Sequence, residues 1–90
     1  MKILICDDEI QYVNTLQAHV QQYMDSRFIN CEILATTSPK EILESETRFD
    51  LAFLDIQMEE MDGISLAKEL KRRNRKIALF FVTNYDDYQD

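Results

Sequence analysis

Four short apolar runs, at residues 2–6, 31–35, 49–56 and 77–82, alternate with stretches in which apolar residues recur every three or four positions. That alternation is the mark of strand and helix units stacked around a parallel sheet. The first run, Lys2-Ile-Leu-Ile-Cys6, shows little polar alternation, as a strand covered on both faces should. A helix over residues 9–24 follows, with Ile10, Val13, Leu16, Val20 and Met24 on its apolar face and Asp8 and Gln11 at capping-box spacing. Ser38-Pro39-Lys40-Glu41 announces a second, short helix ending near Ser45, with Ser38 as cap and Pro39 in the first turn. The third run stops at a lone carboxylate, Asp55. After a loop at 57–62, Gly63, the only glycine, opens a third helix with Ile64, Ala67 and Leu70 on one face. Residues 84–90 read as a loop or the start of another helix.

The 90 residues suit one domain, 1–90, and no apolar stretch is long enough to span a bilayer. Two cysteines make no disulfide framework, which points to a reducing, cytoplasmic setting. In neighbouring parallel strands Cys6 and Cys31 would stand at opposite ends, about 13 Å apart at about 3.3 Å per residue, as core residues and not a bridge. A net charge of -7 argues against direct contact with nucleic acid, which needs a basic face. Six of the ten basic residues, Lys68, Lys71, Arg72, Arg73, Arg75 and Lys76, crowd the end of the third helix, where the helix dipole favours cations.

In a parallel sheet the ligand site lies beyond the carboxyl ends of the strands. Those ends carry Asp7 and Asp8 after strand one, Asp55 after strand three and Thr83 after strand four. Clustered carboxylates resist ionising unless a cation offsets them, and an all-oxygen ligand set suits Mg²⁺, with Mn²⁺ as a substitute. A carboxylate beside Mg²⁺ with a hydroxyl at hand is also the equipment for phosphoryl transfer onto an aspartate. Asp55, standing alone, is then the nucleophile, Asp7 and Asp8 share the metal, and Thr83 supplies the hydroxyl. On spacing alone a plainer reading stands beside this one: Asp7 and Asp8 favour the first helix's N-terminus and Asp55 begins a turn.

Asp7-Asp8 after an apolar strand, Phe53-Leu54-Asp55-Ile56-Gln57-Met58, Met61-Asp62-Gly63 and Phe81-Val82-Thr83 together resemble the receiver domain of two-component response regulators. The wording of the second, third and last segments is similar to regulators with a LytTR-type DNA-binding domain. The resemblance implies a flavodoxin-like, doubly wound parallel sheet of order 2-1-3-4, with the fifth strand and its helices missing. It also implies phosphorylation of Asp55 by a sensor histidine kinase, with Asp8, Asp55 and the backbone carbonyl of Gln57 on Mg²⁺ and Asp7 close by or acting through water. Thr83 would grip the phosphoryl group and carry the switch to an output domain outside this chain, through which DNA would be reached.

Two departures from the family pattern qualify these expectations. Glu59-Glu60 stands where the family usually has a proline after Met58, so the loop is expected to be more mobile and more acidic. The family's fifth-strand lysine and switch aromatic have no counterpart, and Tyr85 and Tyr88 suit plain packing. Read as a receiver fragment, the chain should expose its fourth strand as an edge and self-associate there, and its phosphorylation should be slow or unstable. Gln57, where an aspartyl phosphohydrolase would carry a second acid, argues against an enzyme. A degenerate receiver serving only as an interaction module is the alternative. His19 is expected to be solvated, and Met58 and Met61 to plug the loop onto the sheet.

Overall fold

The computed structural model describes residues 1–82. Four parallel strands, β1 (Lys2–Cys6), β2 (Glu32–Thr36), β3 (Leu51–Leu54) and β4 (Ala78–Phe81), form one sheet of order β2-β1-β3-β4. They alternate with α1 (Ile10–Ser26), α2 (Pro39–Ser45) and α3 (Gly63–Arg73). The flavodoxin-like 2-1-3-4 arrangement expected from the sequence is the one observed.

The two-residue period of the strands sorts the core into two layers. Leu4 and Cys6 of β1 and Ala52 and Leu54 of β3 pack with Ile42 of α2 and with Leu66, Ala67 and Leu70 of α3. The alternate residues, Ile3 and Ile5, pack with Val13, Val20 and Met24 of α1, and Leu51 and Phe53 lean on that cluster. Ile3 to Cys6 are all buried, which explains why β1 lacks polar alternation. On the α1 side of the sheet edge, Phe53 stacks on Phe80 with ring centroids 5.5 Å apart.

The helix starts repay the sequence reading unevenly. Ser38 caps α2, its hydroxyl accepting from the Glu41 amide, with Pro39 in the first turn. The expected box at Asp8 and Gln11 does not form: α1 begins one residue later, with Glu9 as the cap residue and no side-chain cap bond, and Asp7 Oδ1 accepts from the Glu9 amide. Ile10 and Ile64, expected on apolar faces, are exposed. In α3 the buried face is Gly63, Leu66, Ala67 and Leu70, and Ile64 lies about 100° round the helix from Gly63. Ile10 belongs to the first turn of α1, at the open rim of the sheet; the buried face of the helix begins at Val13 and continues with Val20 and Met24. Cys6 and Cys31 are free thiols, at opposite ends of adjacent strands as expected; Cys6 is buried and Cys31 half-buried.

The lone glycine has a specific task. The Gly63 amide donates to the Ile56 carbonyl at 2.7 Å, drawing the start of α3 against the end of β3. A Cβ there would overlap the Asp55 carbonyl oxygen and lie 3.1 Å from the Ile56 Cα. Asp62, one residue earlier, caps α3 by accepting from the Ser65 amide at 2.7 Å. The Asp55 backbone is therefore held by β3 on one side and by α3 on the other.

Candidate functional site

In register, Cys6 pairs with Thr36 on one side and Leu54 on the other, so β1, β2 and β3 finish level. The ladder runs one step further: the Asp55 amide donates to the Cys6 carbonyl at 3.0 Å, and the Asp7 amide to the Thr36 carbonyl at 3.3 Å. Asp7 and Asp55 are thereby fixed side by side on the rim, with Asp8 next to them. One carboxylate oxygen from each of Asp7, Asp8 and Asp55 lies within 4.8 Å of the other two. Asp7 and Asp55 are half-buried and Asp8 is exposed.

The electrostatics follow from that crowding. Burial pushes the Asp7 carboxyl up to about 6, reinforced by the Asp55 and Asp8 charges. Asp55 is also raised, by burial first and then by Asp8, against the pull of the Gln57 and Ile56 amides that donate to its carboxylate. The Cys6 thiol beneath them is pushed up to about 12 by burial and the surrounding acids, and so is a packing group, with its sulfur 3.8 Å from that of Met58. Among the described residues, ion pairs join Glu69 to Arg72 and Arg73, and none reaches the three aspartates. The donor set is oxygen only, convergent and uncompensated, which fits a hard divalent cation.

Of the residues singled out in the sequence, Asp7, Asp8 and Asp55 come together, and Gln57 sits in the adjoining loop with its amide on Asp55. Thr83, Tyr85 and Tyr88 lie outside the described residues. The loop after β3 is better anchored than its acidity suggests. Met58 and Met61 pack against the core, the Glu59 amide donates to Asp8 Oδ2 at 3.3 Å, and the Glu60 carboxylate accepts from Ser38 Oγ at 2.9 Å. Sequence reasoning did not foresee the Glu60 contact, since nothing local pairs residues 22 positions apart. It also missed a groove of about 230 Å³ between α1 and the sheet, lined by Tyr12, Leu16, His19, Phe53, Asp55 and Val82 among others. His19 is exposed, as expected, but on the lip of that groove. The spacing of 12, 15, 16 and 19 was a readable helix-face signal.

An open parallel α/β sheet whose carboxyl ends gather three carboxylates at the rim defines a domain class suited to cation and phosphoryl chemistry. Residues 3–90 match the model of the response regulator receiver domain, and the chain belongs to that family. Among its relatives, the transcriptional regulatory protein ZraR of Escherichia coli K12 is 33% identical over 89 residues, covering 97% of this chain and 19% of ZraR. The sensory transduction protein LytR of Streptococcus agalactiae is 34% identical over 91 residues, covering 98% and 36%. Accessory gene regulator protein A of Staphylococcus epidermidis is 32% identical over 92 residues, covering 97% and 39%. The chain thus spans about a fifth to two fifths of the length of these relatives. The solved response regulator TrrA of Thermotoga maritima superposes with a TM-score of 0.75 at 26% identity, covering 98% of this chain and 73% of that one. A two-component AraC regulator of Clostridium phytofermentans, at 21% identity and a TM-score of 0.78, shares the fold over 97% of this chain and 69% of its own. No helix among the described residues is long and apolar enough to cross a membrane.

Proposed function

We propose that this receiver is a phosphorylation-operated switch in which Asp55 accepts a phosphoryl group from the phosphohistidine of a sensor kinase. The observation that supports it is the convergence of Asp7, Asp8 and Asp55 within 4.8 Å, with Asp55 raised by burial and like charge. Asp7, Asp8, Asp55 and the Gln57 carbonyl would hold Mg²⁺, or Mn²⁺ in its place. The cation supplies charge neutralisation for the phosphoryl oxygens. A carboxylate oxygen of Asp55 attacks phosphorus, an O–P bond forms, the N–P bond of the donor breaks, and the departing imidazole nitrogen takes up a proton. Asp55 must be ionised to attack, and the cation that its raised carboxyl calls for keeps it so. The Ile56 and Gln57 amides orient the attacking group. The similar TrrA was solved in complex with Mg²⁺-BeF, which agrees with this assignment.

Thr83 is assigned the phosphoryl-gripping hydroxyl, and the output is assigned to a LytTR-type transcriptional domain, as the likeness to LytR suggests. In this reading the chain is a phosphoacceptor in the cytoplasm, not an enzyme, and touches DNA only through its output domain. Incubation with acetyl phosphate and Mg²⁺ tests it. Wild type should gain an acid-stable, base-labile phosphoryl group and Asp55→Asn none; labelling of Asp55→Asn, or indifference to chelator, would overturn it.

The described sheet ends at β4, where Phe80, Phe81 and Val82 are exposed. An apolar edge of this kind favours pairing with a second copy. Light scattering should show mass rising with concentration, and a monomer throughout would refute self-association.

A further inference from the structure

A closed circuit of hydrogen bonds runs round the acidic rim. The Asp7 amide donates to the Thr36 carbonyl, and Thr36 Oγ1 accepts from the Ser38 amide at 3.0 Å. Ser38 Oγ donates to Glu60 Oε1 at 2.9 Å, and the Lys40 amide reaches the same oxygen at 3.5 Å. One residue back along the chain, the Glu59 amide donates to Asp8 Oδ2, and Asp8 adjoins Asp7. The loop after β3 is therefore gripped at both ends of the Glu59-Glu60 pair, by a rim carboxylate on one side and by the start of α2 on the other. Among the described residues, no other hydrogen bond joins that pair to α2.

We propose that Glu60 is a positioning residue. Its clasp on Ser38 and Lys40 sets the loop so that the Gln57 backbone and Asp8 are arranged for a divalent cation before one arrives. The inference rests on the Mg²⁺ reading of the site. Glu60 touches no reacting atom; it acts through the loop, by removing the ordering cost that metal binding would otherwise meet. A rival cause is simple attraction, since Glu60 adds a negative charge near the rim and its field is felt at Cys6. The two causes separate cleanly. Gln at position 60 keeps the acceptor and loses the charge, whereas Ala loses both.

Calorimetric Mg²⁺ titration of the purified chain decides between them. Because one exposed clasp is at stake, Glu60→Ala and Ser38→Ala should each weaken binding by about three- to tenfold, and the double variant no more than either. Glu60→Gln should stay within about twofold of wild type, and Ser38→Thr, which keeps both cap and hydroxyl, should restore binding. In the metal-free chain, amide exchange at Lys40 should quicken in Glu60→Ala and not in Glu60→Gln. Equal weakening by Gln and Ala, with Ser38→Ala without effect, would assign Glu60 to charge alone and overturn the clasp. So would unchanged Lys40 exchange in Glu60→Ala. A wild type that takes up no Mg²⁺ would sink the site reading and the coupling with it, whereas a wild type that binds, indifferent to Ser38→Ala, would sink the coupling only.

Discussion

The strand-end rim and the far end of α3 treat carboxylates in opposite ways. On the rim, Asp7 is pushed up to about 6 and Asp55 is raised, because burial and like charge disfavour their ionised forms. At the end of α3, Glu69 is pulled down to about 2 by hydrogen bonds from Arg72 and Arg73. Arg73 does more than pair. Its guanidinium also donates to the carbonyls of Ile42 at 3.2 Å and Leu43 at 2.8 Å, groups near the end of α2 that lack helical partners. The end of α3 uses charge to join two helices. The rim accumulates charge that no ion pair among the described residues offsets, which is where a site is placed and stability is given up.

The largest effect should come from the rim's backbone, not its charge. Gly63→Ala would drive a methyl into the Asp55 carbonyl, neither partner being a flexible side chain. A loss of about 3 kcal/mol in urea unfolding is expected. A loss below about 1 kcal/mol would mean that the junction of β3 and α3 yields easily and does not fix Asp55. Next comes the far end of α3. Arg73→Met should cost about 2 kcal/mol, since it strands the part-buried Leu43 carbonyl and leaves that of Ile42 with only the Ser45 hydroxyl. Arg72→Met is the control: it loses the same partner, Glu69, from an exposed position, and should cost clearly less than Arg73→Met. Equal costs would erase the distinction between a charge that joins elements and one that decorates a surface.

Much of this was legible in the sequence, for identifiable reasons. The strands follow from short, nearly unbroken apolar runs, and the α2 start follows from Ser38 and Pro39, whose preferences act within one turn. Asp7, Asp8 and Asp55 were findable because Asp7 and Asp55 directly follow strands, with Asp8 next in the chain, and parallel strands deliver their ends to a common rim. What escaped depends on long-range placement. Arg73 was read as one more cation favoured by a helix dipole, but its work is done on carbonyls about 30 residues away. Glu60 was read as extra acidity in a loose loop, and it meets Ser38 only because α2 and the loop after β3 emerge at the same rim. Ile10 and Ile64 fit an apolar period, yet the sheet ends before it covers the first and the α3 face turns past the second.

The strain on the rim can be read directly from pH. Asp7 has its folded value near 6 against 3.8 for an ordinary aspartate, so between these the folded chain binds more protons than the unfolded one. Stability from this group is complete below about pH 4 and is lost as pH rises through about 6; the raised Asp55 acts in the same direction. Glu69 behaves inversely, its contribution vanishing as pH falls through about 2, and that window lies lower. Discounted for the solvent that reaches a half-exposed group, the Asp7 loss should be about 1 kcal/mol at neutral pH. Asp7→Asn carries no charge to strain. Metal-free Asp7→Asn should therefore match wild type near pH 4 and exceed it by that amount near pH 7, with Glu69 cancelling from the difference. Saturating Mg²⁺ should reverse the order, because it stabilises the variant less once a ligand is gone. If wild type instead gained on Asp7→Asn from pH 4 to 7 without metal, the rim aspartates would be favourably placed as anions, and the contrast between the rim and the far end of α3 would disappear.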